Sequence, residues 1–354
     1  MNKTHIIIIG QGIAGSLLAH ELIKAGKKVL VVDNGHKTSA TLIAAGMWNP
    51  ILFKKLKKSW RADDLLPVLL HVYSELEEIL DKKFMYNREI VRLFPSNDAA
   101  NDFHLAANDE RYSVYLEEKT QLEVEAVAND EFGYGTIKGG YIDLPVFLPA
   151  FKDYLENQDA FLEAEFNEKD LEITDYGVIW NGYEAEKIIY ANGYKTTESK
   201  FWSYLPITRT HGNMLHVRAD DLKLKGVFNN GQWLLNLEDG SYKMGATFEW
   251  DLPEPSPSEE SKQKLIKKLE SGLKEKPELE LVKHHAGIRP TSADHRPIMG
   301  FHADHPEIGI FNGMGTKGIM LAPLFAKQLT SLITSQTPIE DAVNVNRFRN
   351  KTKD

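Results

Sequence analysis

Three glycines within the first fifteen residues constrain this chain more than any other feature. Ile6, Ile7, Ile8 and Ile9 form a continuous β-branched run, suited to a parallel strand covered on both faces. Gly10, Gly12 and Gly15 follow directly, as G-x-G-x-x-G. Leu17, Leu18, Leu22 and Ala25 then recur at helical spacing until Gly26 stops the helix, and a second strand over residues 29–32 ends in Asp33. Each part of such a βαβ unit has a task. Gly10 permits the tight turn, Gly12 lets a pyrophosphate approach the backbone, and Gly15 lets helix and strand pack closely. The helix N-terminus, reached through Gln11, Ile13 and Ala14, faces the phosphates, and the Asp33 carboxylate accepts from a ribose hydroxyl.

The fingerprint does not choose between NAD and FAD, so composition and the rest of the chain must narrow the field. With 354 residues, of which 42% are hydrophobic, the chain is expected to form about two globular domains. It has no cysteine, which excludes thiol nucleophiles, thiolate zinc sites, iron–sulfur clusters and a cysteinyl flavin link. Forty-two Lys+Arg against 51 Asp+Glu leave a net charge of −9, which makes the average surface repel phosphate backbones and anionic membranes. No apolar run approaches the ~20 residues of a membrane helix. The N-terminus imitates a signal peptide but contains spaced glycines, then His20, Glu21 and Lys24, and has no cleavage motif. A cytoplasmic protein is expected, and the scattered histidines, with His284 and His285 adjacent, show no metal-ligand spacing.

After Asp33 and Asn34 comes a small-residue stretch, Thr38-Ser39-Ala40-Thr41-Leu42-Ile43-Ala44-Ala45-Gly46-Met47. Here the sequence resembles the D-amino-acid oxidase/glycine oxidase family of FAD-dependent oxidoreductases, whose second signature is a small polar residue followed by Ala-Ala-Gly-Met. The resemblance recurs in order along the chain: Gly139-Gly140-Tyr141-Ile142-Asp143, Ile188-Ile189-Tyr190-Ala191-Asn192-Gly193, Arg209-Thr210-His211-Gly212-Asn213-Met214-Leu215 and Lys243-Met244-Gly245-Ala246-Thr247. It closes with Ala286-Gly287-Ile288-Arg289-Pro290, Arg296-Pro297-Ile298-Met299-Gly300 and Asn312-Gly313-Met314-Gly315-Thr316-Lys317-Gly318-Ile319. Independently of the resemblance, residues 308–311 read as a strand, 313–318 as a glycine-rich turn and 319–333 as an apolar helix of about four turns.

The resemblance implies noncovalent FAD held by Gly10 to Gly15, Asp33, Asn34, Thr41, Ala44, Ala45, Gly46, Met47, Phe166, Ala191, Asn192, Gly193, Arg289 and the turn Gly313, Met314, Gly315, Thr316, Lys317, Gly318, Ile319. The expected fold class is α/β with an α+β part: a Rossmann-like FAD-binding domain and a second domain on a mixed or antiparallel sheet. Because the motifs lie at both ends and in the middle, the FAD-binding domain is expected to be discontinuous (1–50, 140–200 and 284–354), with a substrate domain at 51–139 and 201–283. Leu65, Leu66, Leu69, Val72, Leu76 and Leu80 mark one amphipathic helix of that second domain, and Leu265, Ile266, Leu269 and Leu273 another. Polar stretches at 96–101 and 252–257 read as loops.

Flavin amine oxidation asks the protein mainly to hold the substrate in one pose, and an arginine fork suits a carboxylate. Arg289 occupies the family's anchoring position, ahead of Arg209 and Arg218; its competing reading is a salt bridge to Asp294. Lys317 would add positive charge beside the flavin, Trp233 and Met47 would wall the pocket, and His211 would receive a proton. Two departures separate this chain from simple glycine oxidases: Thr316 stands where they carry a second arginine, and Trp233-Leu234-Leu235-Asn236 replaces a Tyr and Pro pair. The expected function is oxidation of the C–N bond of a small amino acid or amine, by hydride transfer to flavin N5. Alternatives are a tRNA wobble-uridine side-chain amine oxidase, suggested by the basic run Lys54, Lys55, Lys57, Lys58, Arg61 with Trp60, a hydroxy-acid dehydrogenase on the same fold, or a flavoprotein binding module. The electron acceptor and oligomeric state are not specified by the sequence.

Overall fold

In the computed structural model, which describes residues 2–35, 39–52, 56–119, 131–229, 232–250 and 256–349, the N-terminal unit forms as its glycines require. Strand β1 (Asn2–Ile9), helix α1 (Ile13–Lys24) and strand β2 (Val29–Asp33) follow one another, and β1 pairs with β2 in parallel with Ile6 opposite Val29. On its other side β1 takes Tyr183–Tyr190 in parallel, which in turn pairs with Ile308–Asn312, while Phe161–Glu163 runs parallel to β2. Antiparallel strands Gly177–Trp180, Glu172–Thr174 and Ile298–Phe301 complete an eight-stranded sheet.

The isoleucine run is buried on both faces because alternate side chains enter different cores. Ile6 and Ile8 join α1 and the helices Ala62–Leu80, Leu144–Glu156 and Gly318–Ser335; Ile7 and Ile9 join Leu30, Val32, Trp180, Tyr190 and Trp202 on the opposite face.

Among the described residues a second, nine-stranded sheet is antiparallel except for one parallel pair, Val227–Asn229 with Met85–Leu93. Its longest pairing joins Ile207–Arg218 to Glu280–Ser292. One face, carrying Leu215, Val217, Leu234, Tyr242 and Met244, packs against Leu265 and Leu269 of the helix Glu259–Glu270. The other face carries Met214, Trp233, Leu235 and Tyr141 and looks toward the first sheet's strand ends.

Three features differ from the reading of the sequence. The helix Ala62–Leu80, expected in the substrate part, packs in the same core as α1 and Gly318–Ser335. Periodicity identifies a helix's apolar face but not what will cover it. The sheets also cross the expected boundaries, since Met47–Trp48, Tyr134–Ile142 and Glu280–Ser292 all belong to the second sheet. Finally, residues 96–101 are not a loop. Ser96 Oγ accepts from Ala99 N–H at 3.2 Å and caps a helix, Asn97–Ala107, with Asp98 in its first turn and Phe103 buried. The same Ser, Asn and Asp residues that signal turns also start helices. Residues 252–255 of the second expected loop lie outside the described residues.

The packing of α1 against Ala62–Leu80 buries a titratable group. His20, 2% exposed, has its Nε2 3.9 Å from a Glu75 carboxylate oxygen, and burial pulls its pKa down to about 4. The folded chain therefore keeps His20 neutral where the unfolded chain binds a proton. Stability attributable to this group is fully present above about pH 6.5 and is lost as pH falls toward 4, by up to about 3 kcal/mol. Urea unfolding between about pH 7 and pH 4.5 is expected to show a shallower loss of stability in His20→Gln than in the wild type; equal losses would contradict this.

Candidate active site

A cavity of about 600 Å3 opens where the C-terminal ends of β1, β2 and Tyr183–Tyr190 meet the second sheet. That is where open parallel sheets hold ligands, and the volume lies within the roughly 300–1,000 Å3 typical of small-molecule sites.

At one end stand Gly10, Gly12, Ile13, Ala14, Asp33, Asn34, Thr41 and Phe166. Asp33 is fixed by backbone: Gln11 N–H donates to one carboxylate oxygen at 2.8 Å and Gly35 N–H to the other at 2.7 Å. Each oxygen keeps a further lone pair for a hydroxyl donor. Helix α1 starts at Gly12 with no side-chain cap from that residue and no acid in its first turn, while Ile13 N–H donates to Thr41 Oγ1 at 3.2 Å. Gly10 has φ +102°, and a Cβ on Gly15 would stand 1.8 Å from the Gly10 carbonyl oxygen. These two glycines set how closely α1 approaches β1.

In the middle, Ala44, Ala45, Gly46 and Met47 pass along one wall and Ala191, Asn192 and Gly193 along another. Asn312, absent from the expected set, joins two turns: its Nδ2 donates to Gly193 O at 2.8 Å and Thr196 Oγ1 at 2.6 Å, and its Oδ1 accepts from Gly313 N–H at 2.9 Å. Sequence reading marked Asn312 as part of the C-terminal motif, but the turn it reaches is more than a hundred residues away.

The second sheet adds Met214, Trp233, Gly245, Phe248 and Arg289 to the lining, and the turn Met314, Gly315, Thr316, Lys317, Gly318 and Ile319 completes it, with Gly318 beside Ile13, where a Cβ would stand 3.1 Å from Ile13 Cγ2. The helix Gly318–Ser335 begins here, again with no side-chain cap and no acid in its first turn. Its amide dipoles therefore put positive potential at the cavity wall. Lys317 Nζ donates to Ser59 Oγ at 3.1 Å, Ser59 Oγ donates on to Asn49 O at 3.2 Å, and burial lowers the ammonium pKa from its ordinary value.

Arg289 is the most informative side chain. Among the described residues it forms no ion pair; Nη1 has only His211 O and Thr247 O, both at 3.5 Å. Burial pulls its pKa down to about 10, so it remains cationic at neutral pH. Asp294, its expected salt-bridge partner in the competing reading, instead pairs with Arg347 at 3.0 Å. Arg209 pairs with Glu198 at 3.4 Å and lies over the Tyr194 ring, and Arg218 is exposed at the end of its strand.

Four expected residues do not line the cavity: Gln11, Gly15, Gly313 and His211. The first three act through backbone geometry. His211 is buried at 2% exposure, but its strand neighbours Gly212 and Met214 face the cavity, so alternation turns the imidazole to the other side of the sheet. The expectation that it receives a substrate proton is therefore corrected. In the basic run, Lys54 and Lys55 lie outside the described residues, Lys58 pairs with Asp63, and Arg61 with Asp64 and Glu340. Acids thus pair with both Lys58 and Arg61, which flank Trp60 in the run.

These features define a dinucleotide-binding protein built on two large sheets, whose cofactor cleft continues into a cationic pocket. A family model described as FAD dependent oxidoreductase matches residues 5–332. The chain belongs to this family, whose members use FAD. It is 22% identical to a glycine oxidase of Pseudomonas aeruginosa over 95% of this chain and 96% of that one. It is 25% identical to the tRNA 5-methylaminomethyl-2-thiouridine biosynthesis bifunctional protein MnmC of Marinobacter nauticus, over 94% of this chain but 56% of that longer relative. Among solved structures, L-proline dehydrogenase from P. horikoshii superposes with a TM-score of 0.78 at 15% identity, covering 99% of each chain. The residues present fit FAD: glycines and alanines line the cleft, the N-termini of α1 and Gly318–Ser335 both open on it with no acid in the first turn, and Asp33 is held by two backbone N–H groups with lone pairs left to accept. Among the described residues no helix is long and apolar enough to cross a membrane.

Proposed function

We propose that this chain oxidises the C–N bond of a small amino acid, primary or secondary, whose carboxylate is bound by Arg289. The observation that carries the reading is a largely desolvated guanidinium facing the cavity with no carboxylate partner among the described residues. Such a cation is costly to bury alone and favours an anionic ligand whose two oxygens match its fork.

When bound, FAD would supply the two-electron acceptor for this oxidation, in which the substrate loses its Cα–H as a hydride equivalent and an N–H proton, and the resulting imine is hydrolysed to a carbonyl acid and ammonia or a primary amine. The chain's own residues bind and orient. Gly10, Gly12 and the first turn of α1 hold the pyrophosphate, and Asp33 accepts from a ribose hydroxyl. Ala44 to Met47, Ala191 to Gly193 and Met314 to Ile319 enclose the rest of the cofactor. Arg289 fixes the carboxylate, so that one face of Cα is presented consistently. Met47, Met214 and Trp233 give apolar surface that excludes water. Lys317, held by Ser59, and the N-terminus of Gly318–Ser335 place positive charge on the same wall. On this reading the first sheet and its four helices form the FAD-binding unit, and the second sheet presents the substrate.

A panel of amino acids, amines and hydroxy acids tests the reading through its product. Turnover of an amino acid with release of ammonia or a primary amine is expected. Turnover of hydroxy acids alone, with no nitrogen product, would replace it by hydroxy-acid oxidation.

A further inference from the structure

The carboxylate anchor proposed above has no acidic partner among the described residues to hold its plane, so its orientation must come from elsewhere. The strand register shows what is available. Arg289 sits opposite Thr210 and Gly287 opposite Gly212, while His211 bridges to Glu249 on the other side of the same strand. Phe248 therefore follows Gly212 across the sheet, on the face that lines the cavity. The Arg289 side chain crosses between them. A Cβ on Gly212 would stand 2.4 to 2.7 Å from Nη1, Nη2 and Cζ, so the guanidinium lies in the space that glycine leaves empty. Its Cζ is 4.7 Å from the centroid of the Phe248 ring. The two carbonyls at 3.5 Å are at the limit of hydrogen bonding and set direction weakly.

Phe248 is 51% exposed, unusual for a large aromatic flanking a buried cation. A ring stacked on a guanidinium occupies its face and leaves the in-plane N–H groups available, whereas a carboxylate partner would consume those donors. We propose that Phe248 is the positioning residue for Arg289, holding its plane over Gly212 so that its N–H fork is presented to the carboxylate of an amino-acid substrate. This inference rests on the reading of Arg289 as the anchor.

The holoenzyme of Phe248→Leu, which keeps apolar bulk without a π face, tests it beside Phe248→Tyr and Arg289→Ala. Acetate affinity, followed as a perturbation of the flavin spectrum, and KM against kcat for the best amino acid are the readouts, with flavin content checked in each protein. Phe248→Leu is expected to weaken acetate binding and raise KM about 10-fold while changing kcat far less, and Phe248→Tyr to restore both. Unchanged acetate affinity in Phe248→Leu, with weakened affinity in Arg289→Ala, would overturn the inference alone, as would failure of Phe248→Tyr to restore. Unchanged affinity in Arg289→Ala would overturn the anchor and the inference with it.

Discussion

Arg289→Ala is expected to lower kcat/KM for the best amino-acid substrate by about 100- to 1,000-fold while leaving the flavin content of the purified protein unchanged. The magnitude follows from removing one partner of a desolvated, charge-assisted pair, which costs on the order of 3–4 kcal/mol. The selectivity for turnover over cofactor binding follows from position. Arg289 is carried by the second sheet, beside Phe248 and Gly212, whereas Asp33 and the first turn of α1 belong to the N-terminal βαβ unit. Both KM and kcat are expected to change, since a substrate without its anchor binds weakly and also samples poses in which Cα is misdirected. Steady-state kinetics with a parallel flavin assay decide the matter: a variant within a fewfold of wild type would remove Arg289 from the site.

Gly15→Ala is expected to give the opposite pattern, loss of FAD rather than loss of substrate. The added methyl would lie 1.8 Å from the Gly10 carbonyl oxygen, a backbone atom that no side-chain rotation can move aside. Helix α1 must then lift from β1, and the lift displaces the helix N-terminus from the pyrophosphate. Overpacking of this kind costs about 1–3 kcal/mol in an adaptable core. Here backbone meets backbone, and FAD affinity is expected to fall by about 100-fold or more. Titration of the apoprotein with FAD measures this directly, with circular dichroism verifying that the variant is folded. FAD binding as tight as in wild type would show that the close approach of α1 is not what positions the phosphates.

The contrast between these variants reflects what a sequence can display. The βαβ unit was legible because its determinants are local: an isoleucine run, glycines at fixed offsets and an acid at the end of the next strand all lie within 33 residues. The turn ahead of Gly318–Ser335 was legible for the same reason, and the motif around Arg289 marked a residue that lines the cavity. What remained hidden depended on pairing between distant segments. Phe248 reaches Arg289 only because His211 bridges to Glu249 while the same strand pairs with Glu280–Ser292. His211 occurs in a motif close to the cavity, but strand parity turns its ring away. The helix Ala62–Leu80 announced its apolar face but not its neighbours, and the polar stretch at 96–101 read as a loop although Ser96 caps a helix. In each case the residue type was visible, and its partner was supplied by tertiary structure.

The central claim is that amino-acid carboxylates reach FAD-directed chemistry through Arg289. It is tested most directly by anaerobic reduction of the flavin in wild-type and Arg289→Ala holoenzyme, using an amino acid that turns over and the amine that lacks only its carboxylate. The account predicts rapid bleaching of the wild-type flavin by the amino acid and far slower bleaching by the decarboxylated amine, with that difference abolished in the variant. Equal reduction by both compounds in the wild type, or an undiminished preference for the amino acid in Arg289→Ala, would contradict it.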